Sequence, residues 1–266
     1  MIGLAWRLLG RELRSGELRL LFAALLVAVA AVTAVGFFAD RVRLALDREA
    51  QQLIGGDLVL ISDRIWPDEI LAEAAKRRLR IAETLSFPSM VLANGQAQLV
   101  EIKAVSSGYP LRGQLSILLR PGEPASSVTH GPARGTVWPD ERAAAGLQAG
   151  PATRIGVGQL MAAMGAILMM EPDRGVNFFS LAPRLMMHLD DVPASGLVQV
   201  GSRVSYRLLL AGEAKDVAGF RNWVEPRLSR GQRLEDIQNA RPEIRSALDR
   251  AQRFLGLATL LTVVLD

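Results

Sequence analysis

The sequence predicts an α+β domain hung between two membrane segments, and three observations predict it. Residues 20–39, LLFAALLVAVAAVTAVGFFA, run for twenty positions without a charge. As a helix rising about 1.5 Å per residue, this run is roughly 30 Å long, the thickness of a bilayer's hydrocarbon core. A second uncharged run, FLGLATLLTVVL at residues 254–265, reads as the start of another membrane helix rather than as a buried closing helix. Between the two runs, strand-like and helix-like stretches follow one another, and the mean hydropathy of the whole chain is only +0.21. That value fits one soluble domain of mixed structure and excludes a bundle of further membrane helices.

The chain therefore divides into a cytoplasmic amphipathic N-terminus at 1–19, a transmembrane helix at 20–39, a core domain with flanking stalk helices at 40–253, and a partial second transmembrane helix at 254–266. Arg7, Arg11, Arg14 and Arg19 precede the first run against Glu12 and Glu17, which places that end in the cytoplasm. A cleaved secretory signal is the rival reading, with Ala28-Val29-Ala30 as its small-x-small site. The apolar run continues well past Ala30, longer than the usual 7–15 residues of a signal's core, and favours the anchor.

Within the domain, Val42, Leu46, Ala50 and Leu53 continue a helical stripe out of the membrane until Gly55-Gly56 stops it. DLVLIS at 57–62 reads as a strand and Pro67 to Leu79 as a helix with acids in its first turn. Residues 81–92 and 97–105 read as a hairpin turned at Asn94-Gly95. Residues 120–135, rich in Pro, Gly and Ser, read as loop. A helix is expected at Asp140 to Gly146 and glycine-broken strands at Arg154 to Met170. A short helix is expected at Leu181 to Leu189, a strand at Arg203 to Leu210 and a helix at Asp216 to Leu228. From Pro242 onward one helix runs into the second apolar segment, so two stalks leave the membrane.

Chemistry is sparse. The chain has no cysteine, which removes disulfides and thiolate sites together. Its lysines, Lys76, Lys103 and Lys215, lie outside any G-x-x-x-x-G-K-[ST] loop, and neither G-x-S-x-G nor H-E-x-x-H occurs. No cofactor is expected, and any ATP must be bound by a partner. His130 and His188 are expected in ordinary surface or packing roles. The basic run Lys76-Arg77-Arg78-Leu79-Arg80 suits a helix C-terminus, and charges of both signs are interspersed, so no nucleic-acid partner is expected. The methionines Met161, Met164, Met169, Met170, Met186 and Met187 suit a core more than a thioether metal site. The speculative substrate contacts are Phe178, Phe179, Met186 and Met187, as a pliable apolar surface for a hydrophobic ligand.

Several stretches together resemble a known family: WRLLGRELRSGELRLLFAALLVAVA near the start, GGDLVL at 55–60, YPLRG at 109–113, EPDRGVNFFSLAPRLMMHLDDV at 171–192 and GSRVSYR at 201–207. They are similar to the YbbP-like permeases of the FtsX/MacB/LolC group of ABC transporter membrane subunits. The resemblance implies a bacterial inner-membrane permease with a MacB-type periplasmic core domain between its first two membrane helices. It implies a separate ATPase subunit as partner, mechanotransmission, extraction of membrane lipids or hydrophobic compounds, and a neighbouring periplasmic esterase of the TesA type. An FtsX-like regulator, passing ATPase state to a periplasmic enzyme without transport, would use the same layout. Either way this subunit supplies no catalytic residue. Members of the family continue with further membrane helices beyond the point matched by Asp266.

Overall fold

The computed structural model describes residues 22–27, 29–30, 33–34, 36–38, 40–41, 54–120, 122–174, 182–199, 201–235 and 250. The chain separates into two units, residues 1–48 with 241–266, and residues 49–240. In the first unit, the described residues between 22 and 41 are helical and their apolar side chains are exposed. Among the described residues no helix is long and apolar enough to cross a membrane. The expected amphipathic N-terminus, the stalk at 42–53 and the second apolar run at 254–265 lie outside the described residues.

The second unit begins with two interleaved β-α-β pieces. Strand β1 (Leu58–Ser62) leads through helix α1 (Asp68–Lys76) to β2 (Arg80–Ala93). Far along the chain, β11 (Ser205–Ala211) leads through α4 (Ala214–Val224) to β12 (Arg233–Glu235). The four strands lie in the order β12-β1-β11-β2, each antiparallel to its neighbour. Leu58, Leu60, Leu208 and Leu210 alternate onto the face that meets Trp66, Ile70, Ala74, Phe220 and Val224 of the helical layer. Val59, Ile61 and Leu209 alternate with them onto the opposite face, which is buried in a second core, so this sheet is covered on both sides.

Everything between β2 and β11 is inserted into this frame. Strand β3 (Gln96–Val105) returns along β2 through Asn94-Gly95, whose φ values of 52° and 76° are those of a type I′ turn. Strands β4 (Leu115–Leu118), β5 (Ser126–Val128) and β6 (Thr136–Pro139) follow, then α2 (Glu141–Gly146), β7 (Arg154–Val157), β8 (Leu160–Met164), β9 (Ile167–Met170) and β10 (Arg184–His188). The main sheet continues β2-β3-β10-β6-β8-β7, and β7 pairs back onto the far end of β2 through Val91–Val157 and Leu92–Gly156. Six strands therefore close into a barrel filled by Phe87, Val100, Ile102, Ile155, Leu185 and Met187. A small sheet, β5-β4-β9, covers part of the outer face over Tyr109, Leu115, Trp138, Leu168 and Met186.

The elements at 57–62, 67–79, 81–105, 140–146, 154–170, 203–210 and 216–228 form close to their expected places. The expected helix at 181–189 is instead β10, followed by a single 3-10 turn at 189–191 and α3 (Val192–Ser195). All five β10 side chains are buried, because the strand has a packed layer on each face, so no alternation betrays it. The 120–135 loop contains β5, and β4, β6 and β12 were not foreseen; each has only three or four residues.

Candidate functional site

Lys103 lies on the outer face of β3, in a strand whose other face fills the barrel. Only 3% of its side chain is exposed. Its ammonium donates to Tyr109 Oη at 2.8 Å, Glu171 Oε2 at 2.8 Å and Asp173 Oδ1 at 2.5 Å. Tyr109 Oη also donates to Asp173 Oδ1. Arg184, the first residue of β10, lies opposite Glu101 of β3 and approaches its carboxylate to 3.4 Å. Arg184 Nε is 3.1 Å from Glu171 Oε1, close enough to attract although too poorly aligned for a hydrogen bond. Arg174 spans from Asp140 at 3.0 Å toward Glu171 at 4.0 Å. Arg207 of β11 reaches Asp173 at 3.7 Å and Glu235 of β12 at 3.4 Å.

The result is a buried hub in which Lys103, Arg174, Arg184 and Arg207 balance Glu101, Asp140, Glu171 and Asp173. Buried charges survive only when paired in this way. Burial alone would raise the pKa of Asp173, but the charges of Lys103 and Arg207 and the hydrogen bonds from Lys103 and Tyr109 outweigh it and hold the carboxyl below its ordinary range. Burial, together with the charges of Asp173 and Glu171, pushes the Tyr109 phenol well above its usual value. Burial would also lower Arg184, yet Glu171 and Glu101 keep its guanidinium more firmly protonated than usual. Asp173 thus adds stability that is present above its unfolded value of about 3.9 and is lost as pH falls through the depressed folded value. Tyr109 adds stability that is complete below about pH 10 and is lost as pH rises through its raised value. Denaturant midpoints measured against pH should fall at both extremes. Asp173→Asn should flatten the acid limb, and unchanged limbs would reject this assignment.

The hub also fixes where the chain enters and leaves the domain. The Leu111 and Arg112 amides donate to Gly55 O, both at 3.1 Å. Arg112 clasps Asp57 with Nε at 3.0 Å and Nη2 at 2.9 Å, and Asp57 Oδ2 also accepts the Gly212 amide at 3.0 Å. Gly55 has φ +73°, and a Cβ there would touch Leu209 Cδ2 at 3.1 Å, so glycine serves both the turn and the packing. The segments GGD, YPLRG, EPDR and the Arg207 strand, scattered through the sequence, therefore meet in one place. Beside the hub opens a polar cleft of about 560 Å³ lined by Ser86, Glu101, Arg142, Arg207 and Arg233 among others.

Of the speculative substrate contacts, Met186 and Met187 are fully buried on opposite faces of β10, one under the small sheet and one inside the barrel. Phe178 and Phe179 lie outside the described residues. Among the methionines, Met164 is also buried, whereas Met161, Met169 and Met170 are exposed. His130 lies 6.0 Å from the Trp138 ring. His188 Nε2 is 3.1 Å from Ser107 Oγ, and Asp190 is close by, a layout that resembles a hydrolytic triad. The tautomer defeats it: Nδ1 accepts the Asp190 amide at 3.2 Å, so the proton sits on Nε2, which donates to Ser107 and cannot serve as its base. No group of three or more His, Cys, Asp or Glu suited to a metal occurs among the described residues. What the hub can do is bear load: it joins β11 and β12 to the barrel strands β3 and β10 through charges that cannot separate cheaply.

Sequence reading did not single out Lys103, Glu171, Asp173, Arg184 or Arg207. The available signal was a lone lysine inside VEIKAV, flanked by apolar residues, and the EPDR charges following an apolar strand.

No family model matches the chain. Over 255 residues it is 35% identical to the uncharacterized ABC transporter permease YbbP of Escherichia coli (strain K12). The match takes in 96% of this chain and 31% of that protein, so the chain spans about a third of its relative's length. Among solved structures, the periplasmic region of MacB from Actinobacillus actinomycetemcomitans is similar at 8% identity and a TM-score of 0.44, over 73% of this chain and 95% of that one. The extracellular domain of the ABC-type transporter YknZ from Gram-positive bacteria is similar at 7% identity and a TM-score of 0.42, over 67% of this chain and 100% of that one. The strand order described above stands independently of these two likenesses.

Proposed function

From the premise that this chain is homologous, along 96% of its length, to a YbbP-like ABC transporter permease, we propose that it forms the N-terminal part of a permease subunit in a bacterial inner membrane. In this reading residues 20–39 cross the membrane from a cytoplasmic N-terminus, and the α+β unit stands in the periplasm. A separate ATPase subunit supplies the energy, the moved cargo is a lipid or other hydrophobic compound, and a TesA-type periplasmic esterase is a partner. The subunit itself is not an enzyme.

One observation carries the reading. The first strand, β1, and the last, β12, are hydrogen-bonded neighbours, with Val59 opposite Glu235, and each is tied into the hub region, by Asp57 to Arg112 and by Glu235 to Arg207. A displacement applied to either chain end therefore reaches the paired strands β1 and β12, and through Glu235 and Arg207 it reaches the buried Asp173. That is the arrangement a domain needs if two membrane helices are to work it as a lever.

A topology reporter tests the premise of the mechanism. Gly122 sits in an open turn, where an added Cβ would meet nothing within 4 Å, so an insertion there should be tolerated. Alkaline phosphatase inserted at Gly122 should be active. An inactive phosphatase, with a fluorescent cytoplasmic reporter lighting at the same site, would sink the proposal.

A further inference from the structure

On the sheet face that carries Leu85 and Tyr206, two hydrophobic cores meet without filling the space between them. Trp66 belongs to the core under the helical layer, Leu85 and Val192 belong to the core of the barrel, and Tyr206 packs against both. Leu85 and Tyr206 are cross-strand partners on β2 and β11. A pocket of about 280 Å³ opens where these four residues come together. Protein interiors are close-packed, with few voids larger than a water molecule, and this volume approaches that of the smallest ligand pockets. Water fills such a space poorly, because each confined water needs two to four polar partners and this lining is mainly apolar. Two aromatic donors on the wall also go without an acceptor. Trp66 Nε1 is buried and has no partner among the described residues. The hydroxyl of the half-buried Tyr206 has none among them either. Buried Tyr and Trp side chains ordinarily satisfy these groups.

We propose that this pocket binds an acyl group, a chain of about eight carbons whose carbonyl oxygen accepts from Tyr206 Oη. The chain length follows from the volume, at roughly 30 Å³ for each water-sized group. The carbonyl follows from the unmet donors, since its oxygen offers two lone pairs and donates nothing. A neutral ester or amide fits better than a free carboxylate. The lining holds one cation, Arg207, and one carboxylate, Glu83, and Arg207 already faces Asp173 at 3.7 Å and Glu235 at 3.4 Å. Ile65 lines the pocket too and is 73% exposed, an apolar side chain at the rim where the chain would enter. The site is separate from the hub and does not depend on the permease reading, which the topology reporter decides on its own.

The test is photolabelling of the full chain in phosphatidylcholine nanodiscs, where no detergent competes for the pocket. One arm uses a soluble N-methyl octanamide with a diazirine near the end of its chain. The other uses phosphatidylcholine whose acyl chain carries the same diazirine. Peptide mass spectrometry should place adducts on residues 65–66, 189–198 or 206. Labelling by the soluble probe identifies a free ligand, and labelling by the lipid probe identifies a bilayer acyl chain; either supports the site. The concentration for half-labelling should rise about three- to tenfold in Tyr206→Phe, which removes one hydroxyl and keeps the ring. Labelling should be lost in Val198→Trp, whose larger side chain fills the pocket from its wall. Tyr206→Phe should keep the parent's melting temperature, and it decides the matter alone if Val198→Trp does not. The proposal is overturned if neither probe labels these segments, or if labelling is unchanged in Tyr206→Phe.

Discussion

Lys103→Met should destabilise the chain by about 3–5 kcal/mol, the usual consequence of removing one partner from a buried ion pair. The substitution keeps the length and apolar stem of the side chain, so little packing is lost. What it removes is the one cation that bonds Glu171, Asp173 and Tyr109 at once. Neither carboxylate has water to turn to: 0% of the Glu171 side chain and 3% of the Asp173 side chain are exposed. Arg184 and Arg207 remain nearby and Tyr109 still donates to Asp173 Oδ1, which softens the loss, but Glu171 Oε1 and Asp173 Oδ2 have no hydrogen bond to add to it. Urea denaturation of the full chain in detergent, followed by tryptophan fluorescence, would measure the effect. The double variant Lys103→Met/Asp173→Asn should recover part of it, because the second change removes a charge that the first left unpaired. The two effects should then miss additivity by about 1–3 kcal/mol. A single-variant loss below about 1 kcal/mol, or simple additivity, would show that the hub is not held by Lys103.

That prediction could not have been made from the sequence, and the reason is physical. Lys103 is one residue of a strand, and its partners lie 6, 68 and 70 positions away. Local patterns report local structure: the Asn94-Gly95 turn, the Asp140 cap that accepts the Ala143 amide at 2.8 Å, and the acids opening α1 were all legible because each acts within a few residues. The stretches GGD, YPLRG and EPDRG stood out as blocks, but only the pairing of β3 with both β2 and β10 brings them together. Strand β10 illustrates the other limit. Its sequence, RLMMH, has no period to read, because Met186 and Met187 enter different cores. Helix and strand become indistinguishable in a short, fully buried run.

The barrel closes over only two β2–β7 residue pairs, and Gly158 guards the seam. It lies between β7 and β8 with φ +59°, a conformation L side chains rarely adopt. A Cβ there would push far inside van der Waals contact with Ser195 O and lie 2.8 Å from Leu197 Cγ. The neighbouring Gln159 amide bonds the same Ser195 carbonyl at 2.9 Å, so the backbone there has little freedom to retreat. Gly158→Ala should therefore cost about 2–4 kcal/mol, combining left-handed strain with overpacking against main chain. Gly95→Ala is the matched control: φ there is +76°, but nothing lies within 4 Å of an added Cβ, so only the strain of about 1 kcal/mol should register. Hydrogen exchange should separate the causes further. Amides of β7 and β8 should lose protection in Gly158→Ala, as the seam opens, while those of β1 and β11 keep theirs. Equal costs for the two glycine variants would mean that α3 yields freely, and that the barrel does not depend on this turn for its closure.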